Sequence, residues 1–182
     1  MKPKVPDQLD KLLQLCLKKD RIAQKELFEL FGPTMKLVCR RYLFDSSEVG
    51  EVLNQGFFKV FNKLSSYKGE GSFEGWIRSI IIRECLNANQ KRKVNYLSND
   101  WEFENVLKQT PEVDEINDLD YLLEFINSLP IGYRTVFNLI EIEGYKHKEV
   151  AKRLGIKEAA SRSQLTRAKQ LLRIRLKTKN GL

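Results

Sequence analysis

The sequence predicts an all-α fold of two helical domains joined by a flexible acidic linker. Apolar residues recur at spacings of three and four through most of the chain, which is the spacing of one helix face. No stretch holds the alternation of apolar and polar residues that marks a half-buried strand. Charge is also divided: residues 101–130 contain eight acidic residues and one basic residue, whereas residues 146–179 contain twelve basic and two acidic residues. This division indicates parts with different partners.

In the first domain the pattern predicts four helices before a basic run at 91–93. The first is expected to stop near Gly32-Pro33, because proline lacks an N–H and its ring clashes with the preceding turn. The second carries Met35 to Leu43, and the third carries an apolar stripe from Val49 to Leu64. A polar loop, Ser65 to Phe73, then leads to a helix that opens around Gly75 and Trp76.

Residues 94–118 are acidic, contain Pro111 and show no sustained period. We therefore expect a first domain over residues 1–97, a linker over 98–117 and a second domain over 118–182. The second domain is predicted to hold a helix that stops at Pro130, a following helix to Gly144, and two short basic helices that meet at Gly155.

Composition excludes several classes of protein. The 32 Lys and Arg against 24 Asp and Glu give a net charge of +8, which favours a polyanionic partner. Three widely separated cysteines in apolar patterns are expected to be buried reduced thiols, and a single histidine, His147, leaves little material for a metal site or a triad. We expect no cofactor and no metal. The N-terminus lacks a signal peptide and no window is apolar enough to span a membrane, so a cytoplasmic protein is expected.

The stretch Gly144 to Lys169 has the pattern of a helix-turn-helix. Val150 and Leu154 form the inner face of one helix, and Gly155 supplies a turn that needs positive φ. The second helix is expected to bury Ala160, Leu165, Ala168 and Leu172. Its predicted outer face has side chains able to bond bases and phosphates: Ser161, Arg162, Ser163, Gln164, Thr166, Arg167 and Lys169, with Lys157 just before it. A basic solvated helix in a three-helix unit is the alternative, against which the absence of acidic residues after Ser161 argues.

The first domain also holds aromatic and basic side chains, the kinds that bind unstacked bases and phosphates of nucleic acids. The aromatic and basic candidates are Tyr67, Lys68, Phe73, Trp76, Arg78, Arg83 and Lys91 to Lys93. Trp76 is expected to brace the loop rather than to contact DNA.

Both domains resemble the extracytoplasmic-function (ECF) group of bacterial RNA polymerase sigma factors, in the sigma-70 family. LNQGFFKVFNKL and YKGEGSFEGWIRSI are similar to region 2 of the family, and the stretch from Ser128 to Leu176 is similar to region 4. The resemblance implies a transcription initiation factor whose partners are core RNA polymerase, through its clamp helices and flap, and promoter DNA. It leaves open an anti-sigma factor as a further partner.

The resemblance also implies roles for individual residues. It assigns contacts with core polymerase to Asn54, Gln55, Phe58 and Lys59. It assigns contacts with the melted minus-10 element to a larger set: Tyr67, Lys68, Phe73, Arg78, Arg83, Asn87, Lys91, Arg92 and Lys93. The minus-35 element is read by the outer residues of the second helix given above. Four positions depart from the family: Val52 and Gly56 replace acidic residues, Arg83 an Asn, and Lys146 a Ser N-cap.

Two other classes of protein remain possible from the sequence. A stand-alone helix-turn-helix regulator, with a sensing or partner-binding first domain, would bind its operator independently as a dimer. An enzyme would need a nucleophile, a metal cluster or a phosphate loop, and GEGSFEG does not match the phosphate-loop pattern. The sequence does not identify the promoter, the regulon or the inducing signal.

Overall fold

The structure, a computed structural model, describes residues 6–43, 45–91 and 118–179. Every regular element in these ranges is helical, which confirms the predicted fold class. The chain divides into two compact units, Met1–Lys91 and Arg92–Leu182, here called the N-terminal and C-terminal units. The predicted linker, 98–117, lies outside the described residues, so the domain bounds stay predictions. None of the helices in the described ranges is long and apolar enough to cross a bilayer.

The N-terminal unit contains four described α-helices and two short 3₁₀ turns. The helices are α1 (Pro6–Leu17), α2 (Arg21–Tyr42), α3 (Val49–Lys63) and α4 (Phe73–Lys91), with the turns at Ser46–Glu48 and Leu64–Ser66. The core lies where α2, α3 and α4 pack on one another, and it includes the buried side chains of Leu27, Met35, Phe57, Ile77 and Ile81. Burying each such side chain contributes about 1.5–3 kcal/mol, so this junction holds the unit together.

Helix α2 runs through Pro33, so the predicted helix end at Gly32-Pro33 is wrong. Proline removes one backbone hydrogen bond of the helix. Its ring is exposed, whereas Leu27 before it and Met35 and Val38 after it are buried. Because the same buried face continues on both sides, packing against α3 and α4 outweighs the lost bond.

Aspartate side chains cap two of these elements. Asp20 precedes α2, and its Oδ1 accepts a hydrogen bond from Ala23 N at 2.9 Å. Asp45 precedes the first 3₁₀ turn, and its Oδ1 accepts from Ser47 N at 2.8 Å. Each carboxylate satisfies a backbone N–H that has no partner inside its own helix, and so fixes where the element begins.

The three cysteines, Cys16, Cys39 and Cys85, are buried free thiols, as the sequence predicts. Burial, reinforced by the nearby carboxylates of Asp20 and Glu26, raises the pKa of Cys16 to about 11. A hydrogen bond with Cys39, together with burial, raises the pKa of Cys85 well above its usual range. Because the thiolate is the form that attacks or binds metals, these cysteines are packing residues.

The C-terminal unit is built around its last helix. Its described elements are α5 (Asp118–Asn127), α6 (Ile131–Phe137), a π-helical turn (Asn138–Ile142), α7 (His147–Leu154) and α8 (Glu158–Lys179). One core cluster joins α6 to α8 and comprises Leu129, Tyr133, Ala168, Leu171 and Leu172, with Phe125 and Phe137 packed against it. The inner face of α8 is thereby held, and its other faces are left for α7 and for solvent.

Candidate nucleic-acid interface

A tight turn at Gly155 joins α7 to α8. Gly155 has φ 68° and ψ 29°, and its N–H donates to the carbonyl of Ala151. Ile156 N donates to the same carbonyl at 3.1 Å. Glycine adopts this left-handed conformation without the strain that a Cβ causes. The predicted helix-turn-helix, with its positive-φ glycine, is confirmed.

Helix α7 begins without a side-chain N-cap, as expected from the lysine, Lys146, at the N-cap position. The lysine ammonium has no acceptor atom. Instead, the carboxylate of Glu149 accepts a hydrogen bond from Lys146 N at 2.7 Å. This is the reciprocal half of a capping box, so the start of α7 is fixed by its third residue.

Helix α8 presents a row of exposed side chains that includes three of the predicted DNA-binding residues. Arg162, Ser163 and Thr166 are exposed, and Lys157 is exposed just before the helix. The row continues toward the C-terminus through residues that the sequence analysis did not include: Gln170, Arg173 and Lys177. Their spacing of three and four from Thr166 is the signal that could have found them.

Ser161 and Gln164 are not on this surface, so the prediction that they face outward is wrong. Ser161 is 0% exposed and Gln164 is 4% exposed. Helix α8 packs on α6 with one face and on α7 with another, so its buried stripe is wider than its apolar residues indicate. The Oγ of Ser161 lies 3.0 Å from Nδ1 of His147. This contact ties the start of α8 to the start of α7.

Arg167 and Lys169 are half-buried and each contacts another element. Arg167 Nη1 lies 3.5 Å from the hydroxyl of Tyr133. Lys169 Nζ lies 2.8 Å from Oε1 of Glu141, in the π-helical turn. A partly exposed ion pair of this kind contributes little to stability, so Lys169 can exchange Glu141 for a phosphate at small cost.

The exposed row on α8 carries an internal ion pair. Glu158, the first residue of α8, accepts a hydrogen bond from Nη2 of Arg162 one turn later. A solvated helix commonly carries i,i+4 pairs of opposite charge, so this pair weakens the argument against a merely solvated α8. The hydroxyls of Ser163 and Thr166 donate to the carbonyls of Ala160 (3.0 Å) and Arg162 (3.1 Å). Their lone pairs remain exposed for a donor on DNA.

Helix α7 also carries exposed basic side chains, and sequence reasoning missed them. Lys148 and Lys152 are exposed on α7. The guanidinium of Arg153 lies 4.3 Å from the ring centre of Tyr145, a cation–π arrangement that restrains it. In helix-turn-helix proteins the first helix crosses the DNA backbone, which is the signal that could have included these residues.

The loop of the N-terminal unit is closed by an aromatic cluster. The ring of Tyr67 lies 5.0 Å from that of Phe73 and 5.5 Å from that of Trp76, measured between centroids. The hydroxyl of Tyr67 donates to the carbonyl of Gly71 at 2.9 Å. Trp76 therefore braces the loop, as predicted. Phe73 is only 4% exposed, so its ring packs inside the unit and its predicted DNA contact stays a prediction. Lys68 and Glu70 are exposed in the loop.

Helix α4 carries the remaining minus-10 candidates in different environments. Arg83 and Lys91 are exposed, whereas Arg78 is half-buried and pairs with Glu74 at 2.7 Å. Asn87 donates to Oε1 of Glu84 at 3.3 Å. The other two candidates, Arg92 and Lys93, lie outside the described residues. Among the described residues of α4, Arg83 and Lys91 are thus the exposed cations, whereas Arg78 is already paired with Glu74.

The candidate polymerase-binding residues lie on one face of α3. Asn54, Gln55 and Phe58 are exposed, with Phe58 68% exposed. Lys59 differs, because its ammonium lies 2.5 Å from Oε2 of the buried Glu84 of α4. Lys59 therefore links α3 to α4 in the free protein.

An acidic residue on this α3 face was missed. Glu51 is exposed, and its carboxylate accepts from Nε2 of Gln55 at 2.8 Å. Val52 and Gly56, the positions first matched to the acidic residues of the family, are buried. A Cβ on Gly56 would lie 2.3 Å from Cδ1 of Ile81, so α3 and α4 approach closely there. Val52 and Gly56 are therefore not part of the exposed face of α3, whereas Glu51 is.

Together these features define a class of protein: a helical DNA-binding protein with a helix-turn-helix unit and a second unit that presents basic, aromatic and amide side chains. Within the described residues, no group of His, Cys, Asp and Glu is placed to hold a metal ion. Comparison with known families gives two matches, the Sigma-70 region 2 family at residues 27–94 and the Sigma-70, region 4 family at residues 119–172. They cover about two thirds of the chain, in the order expected. The chain belongs to the sigma-70 family, in its ECF group.

Curated relatives have names that agree with this assignment, and a solved structure has a similar fold. The chain is similar to the ECF RNA polymerase sigma factor SigE of Mycolicibacterium smegmatis (28% identity over 131 residues, 68% of this chain and 49% of the relative). It thus spans about half the length of that relative. The ECF RNA polymerase sigma-E factor of Haemophilus influenzae is 24% identical over 138 residues, 69% of this chain and 73% of its own. The fold is also that of sigma factor RpoE, solved with the anti-sigma factor NepR from Bartonella quintana (TM-score 0.52, 19% identity, 84% of this chain and 96% of the other).

Proposed function

We propose that this protein binds core RNA polymerase and directs it to particular promoters, with the C-terminal unit on the minus-35 element and the N-terminal unit on the melted minus-10 element. The observation that carries the proposal is the exposed row on α8, in a chain that also has a region 2 unit. As in the family, catalysis of RNA synthesis belongs to the polymerase. We place its site of action in the cytoplasm, where bacterial promoter DNA and polymerase meet.

The proposed minus-35 surface combines base reading with phosphate contacts. Arg162 is the exposed guanidinium at the start of α8, where the residues of a recognition helix contact base edges. An arginine bonds guanine bidentately. Lys148 and Lys152 of α7, with Lys157 and Lys169, have the charge and position to contact phosphates. Ser161 and Gln164 are left out because they are buried.

The proposed minus-10 surface runs from the loop tip along α4. Lys68 stands at the tip, and Arg83 and Lys91 follow on the helix. Exposed cations of this kind support binding of a single strand through its phosphates. Tyr67 contributes indirectly, by fixing the loop. Its ring packs against Trp76 and its hydroxyl donates to the carbonyl of Gly71.

The polymerase-binding surface we propose is the exposed face of α3. It comprises Glu51, Asn54, Gln55 and Phe58. A largely exposed aromatic ring beside amide and carboxyl groups resembles the centre of a protein interface, where aromatic anchors dominate binding energy. Because one solved relative is held by an anti-sigma factor, we propose that a regulator of this kind also binds this chain.

A stand-alone helix-turn-helix regulator is the rival function. It does not explain a first unit that matches sigma region 2 over residues 27–94. The two functions also differ in how DNA is bound, because an initiation factor needs the polymerase whereas a regulator binds its operator alone.

Run-off transcription tests the proposal directly. Core polymerase is incubated with genomic promoter fragments, with and without the protein. We expect discrete transcripts only when both are present, and a stable complex of the protein with core polymerase in native mass spectrometry at micromolar concentrations. Absence of that complex, together with dimeric binding to duplex DNA, would establish the regulator instead.

A further inference from the structure

We infer that Glu158 determines promoter specificity through Arg162: its carboxylate orients and neutralises the guanidinium, so that Arg162 bonds a base edge rather than a phosphate. The inference rests on the proposed function. It starts from the ion pair at the N-terminal end of the exposed row on α8, in which Glu158 is itself partly exposed, with 42% of its side chain accessible. An acidic residue at this point is unexpected on a surface made to approach a polyanion.

Orientation is the first effect of the pair. The carboxylate of Glu158 engages Nη2 of Arg162. The guanidinium has five N–H donors in a planar fork, so the donors that Glu158 leaves unused point in a restrained direction. A restrained arginine loses less side-chain freedom when it bonds a base, and this lowers the cost of binding.

Neutralisation is the second effect. An unpaired arginine on a DNA-facing helix is attracted to any phosphate, which adds affinity for every sequence alike. A neighbouring carboxylate repels phosphates and cancels part of that attraction. The bidentate bond to guanine survives because it depends on the geometry of donors and acceptors. The pair therefore lowers non-specific binding more than specific binding.

A purely structural role for Glu158 has to be separated from this one. Glutamate in the first turn of a helix also stabilises the helix by interacting with its dipole. Such a role changes thermal stability and leaves base preference unchanged. Glu141 supplies a matched control, because it too is an exposed glutamate of the C-terminal unit paired with a cation of α8, Lys169.

The experiment uses holoenzyme reconstituted from core polymerase and the full chain. Competition binding is measured for promoter fragments with every single-base substitution in the upstream element, and for a random-sequence duplex at several salt concentrations. The variants are wild type, Glu158→Gln, Glu141→Gln and Arg162→Ala. The Arg162→Ala profile identifies the base pair that Arg162 reads, and the melting temperature of each variant is recorded alongside.

We expect Glu158→Gln to reduce discrimination at the base pair of Arg162 about five-fold or more, part of the factor that a bidentate arginine contact supplies. Binding to the random duplex should become tighter, with its salt dependence steeper by about one ion. Glu141→Gln should leave the base profile unchanged. A Glu158→Gln variant that is less stable but has the wild-type profile overturns the inference. So does a change at a different base pair, which would show that Glu158 reads DNA itself. Wild-type holoenzyme without base preference overturns the proposed function and the inference together.

Discussion

Arg162 and Lys169 are both cations of α8, but their surroundings predict different contributions to DNA binding. Arg162 lies in the exposed row near the start of the helix, and Lys169 lies two turns on, paired with Glu141. We expect Arg162→Ala to lose about 1–3 kcal/mol at one base pair of the upstream element and to relax preference there. Lys169→Ala should weaken binding to all sequences alike and lower the salt slope by about one ion.

Binding to single-base variants at two salt concentrations separates these outcomes. The two substitutions are matched, because each leaves one glutamate without its partner. If Arg162→Ala weakens all sequences equally, α8 positions the protein without reading bases, and specificity must lie in other side chains or in DNA shape.

Gly56 is the residue on which the spacing of α3 and α4 depends. We expect Gly56→Ala to destabilise the N-terminal unit by about 1–2 kcal/mol, because the added Cβ meets Cδ1 of the fully buried Ile81. Gly50 in the same helix has nothing within 4 Å of a Cβ. Gly50→Ala should therefore not destabilise the unit, because Gly50 lies in the first turn of α3 with open space around it.

Urea unfolding followed by circular dichroism measures both changes. Shortening the neighbour with Ile81→Val removes the atom in conflict, so the double variant should recover most of the stability that Gly56→Ala loses relative to Ile81→Val alone. An equal loss in both backgrounds would show that close approach to Ile81 is not the reason for glycine at this position.

At the scale of elements, the loop between α3 and α4 is held by its aromatic residues and offers Lys68 to DNA. Gly69 and Gly71 have positive φ, and Tyr67 closes the loop on Gly71. We expect Lys68→Ala to slow promoter opening about ten-fold, because losing a hydrogen bond to a charged group costs a free energy of about that size. Polymerase binding and the melting temperature should stay unchanged. Tyr67→Ala should impair opening too, because it loosens the loop.

Permanganate footprinting of the opened promoter reports this effect. Lys63→Ala, an exposed lysine at the end of α3, is the control and should open the promoter normally. Wild-type footprints with Lys68→Ala would remove Lys68 from the DNA-binding surface.

Helical periodicity predicted most of the described elements, because their apolar residues face cores at regular spacing. It failed at Pro33, where packing on both sides of the proline keeps α2 continuous. It also failed at Ser161 and Gln164, since polar residues buried between helices are indistinguishable in sequence from polar residues that face water. Ion pairs such as Lys59 with Glu84 join residues 25 positions apart, so only the folded structure reveals which cations are already engaged.

At the scale of the whole molecule, three proposed surfaces occupy different helices: α3 for polymerase, the loop and α4 for melted DNA, and α7 with α8 for duplex DNA. Each surface lies within one compact unit. Binding to polymerase and choice of promoter should therefore be separable by substitution. Arg162→Ala should leave affinity for core polymerase unchanged.

Phe58 is the most exposed aromatic side chain among the described residues. If the α3 face docks on core polymerase, Phe58→Ala should weaken that complex by about 2 kcal/mol, a thirty-fold change typical of an interface anchor, and leave the melting temperature unchanged. Ile22 on α2 is the matched control, because it is an apolar side chain 81% exposed in the same unit. Competition for core polymerase against a labelled wild-type chain measures both variants. Equal affinities for Phe58→Ala and Ile22→Ala would move the polymerase-binding surface away from this face of α3.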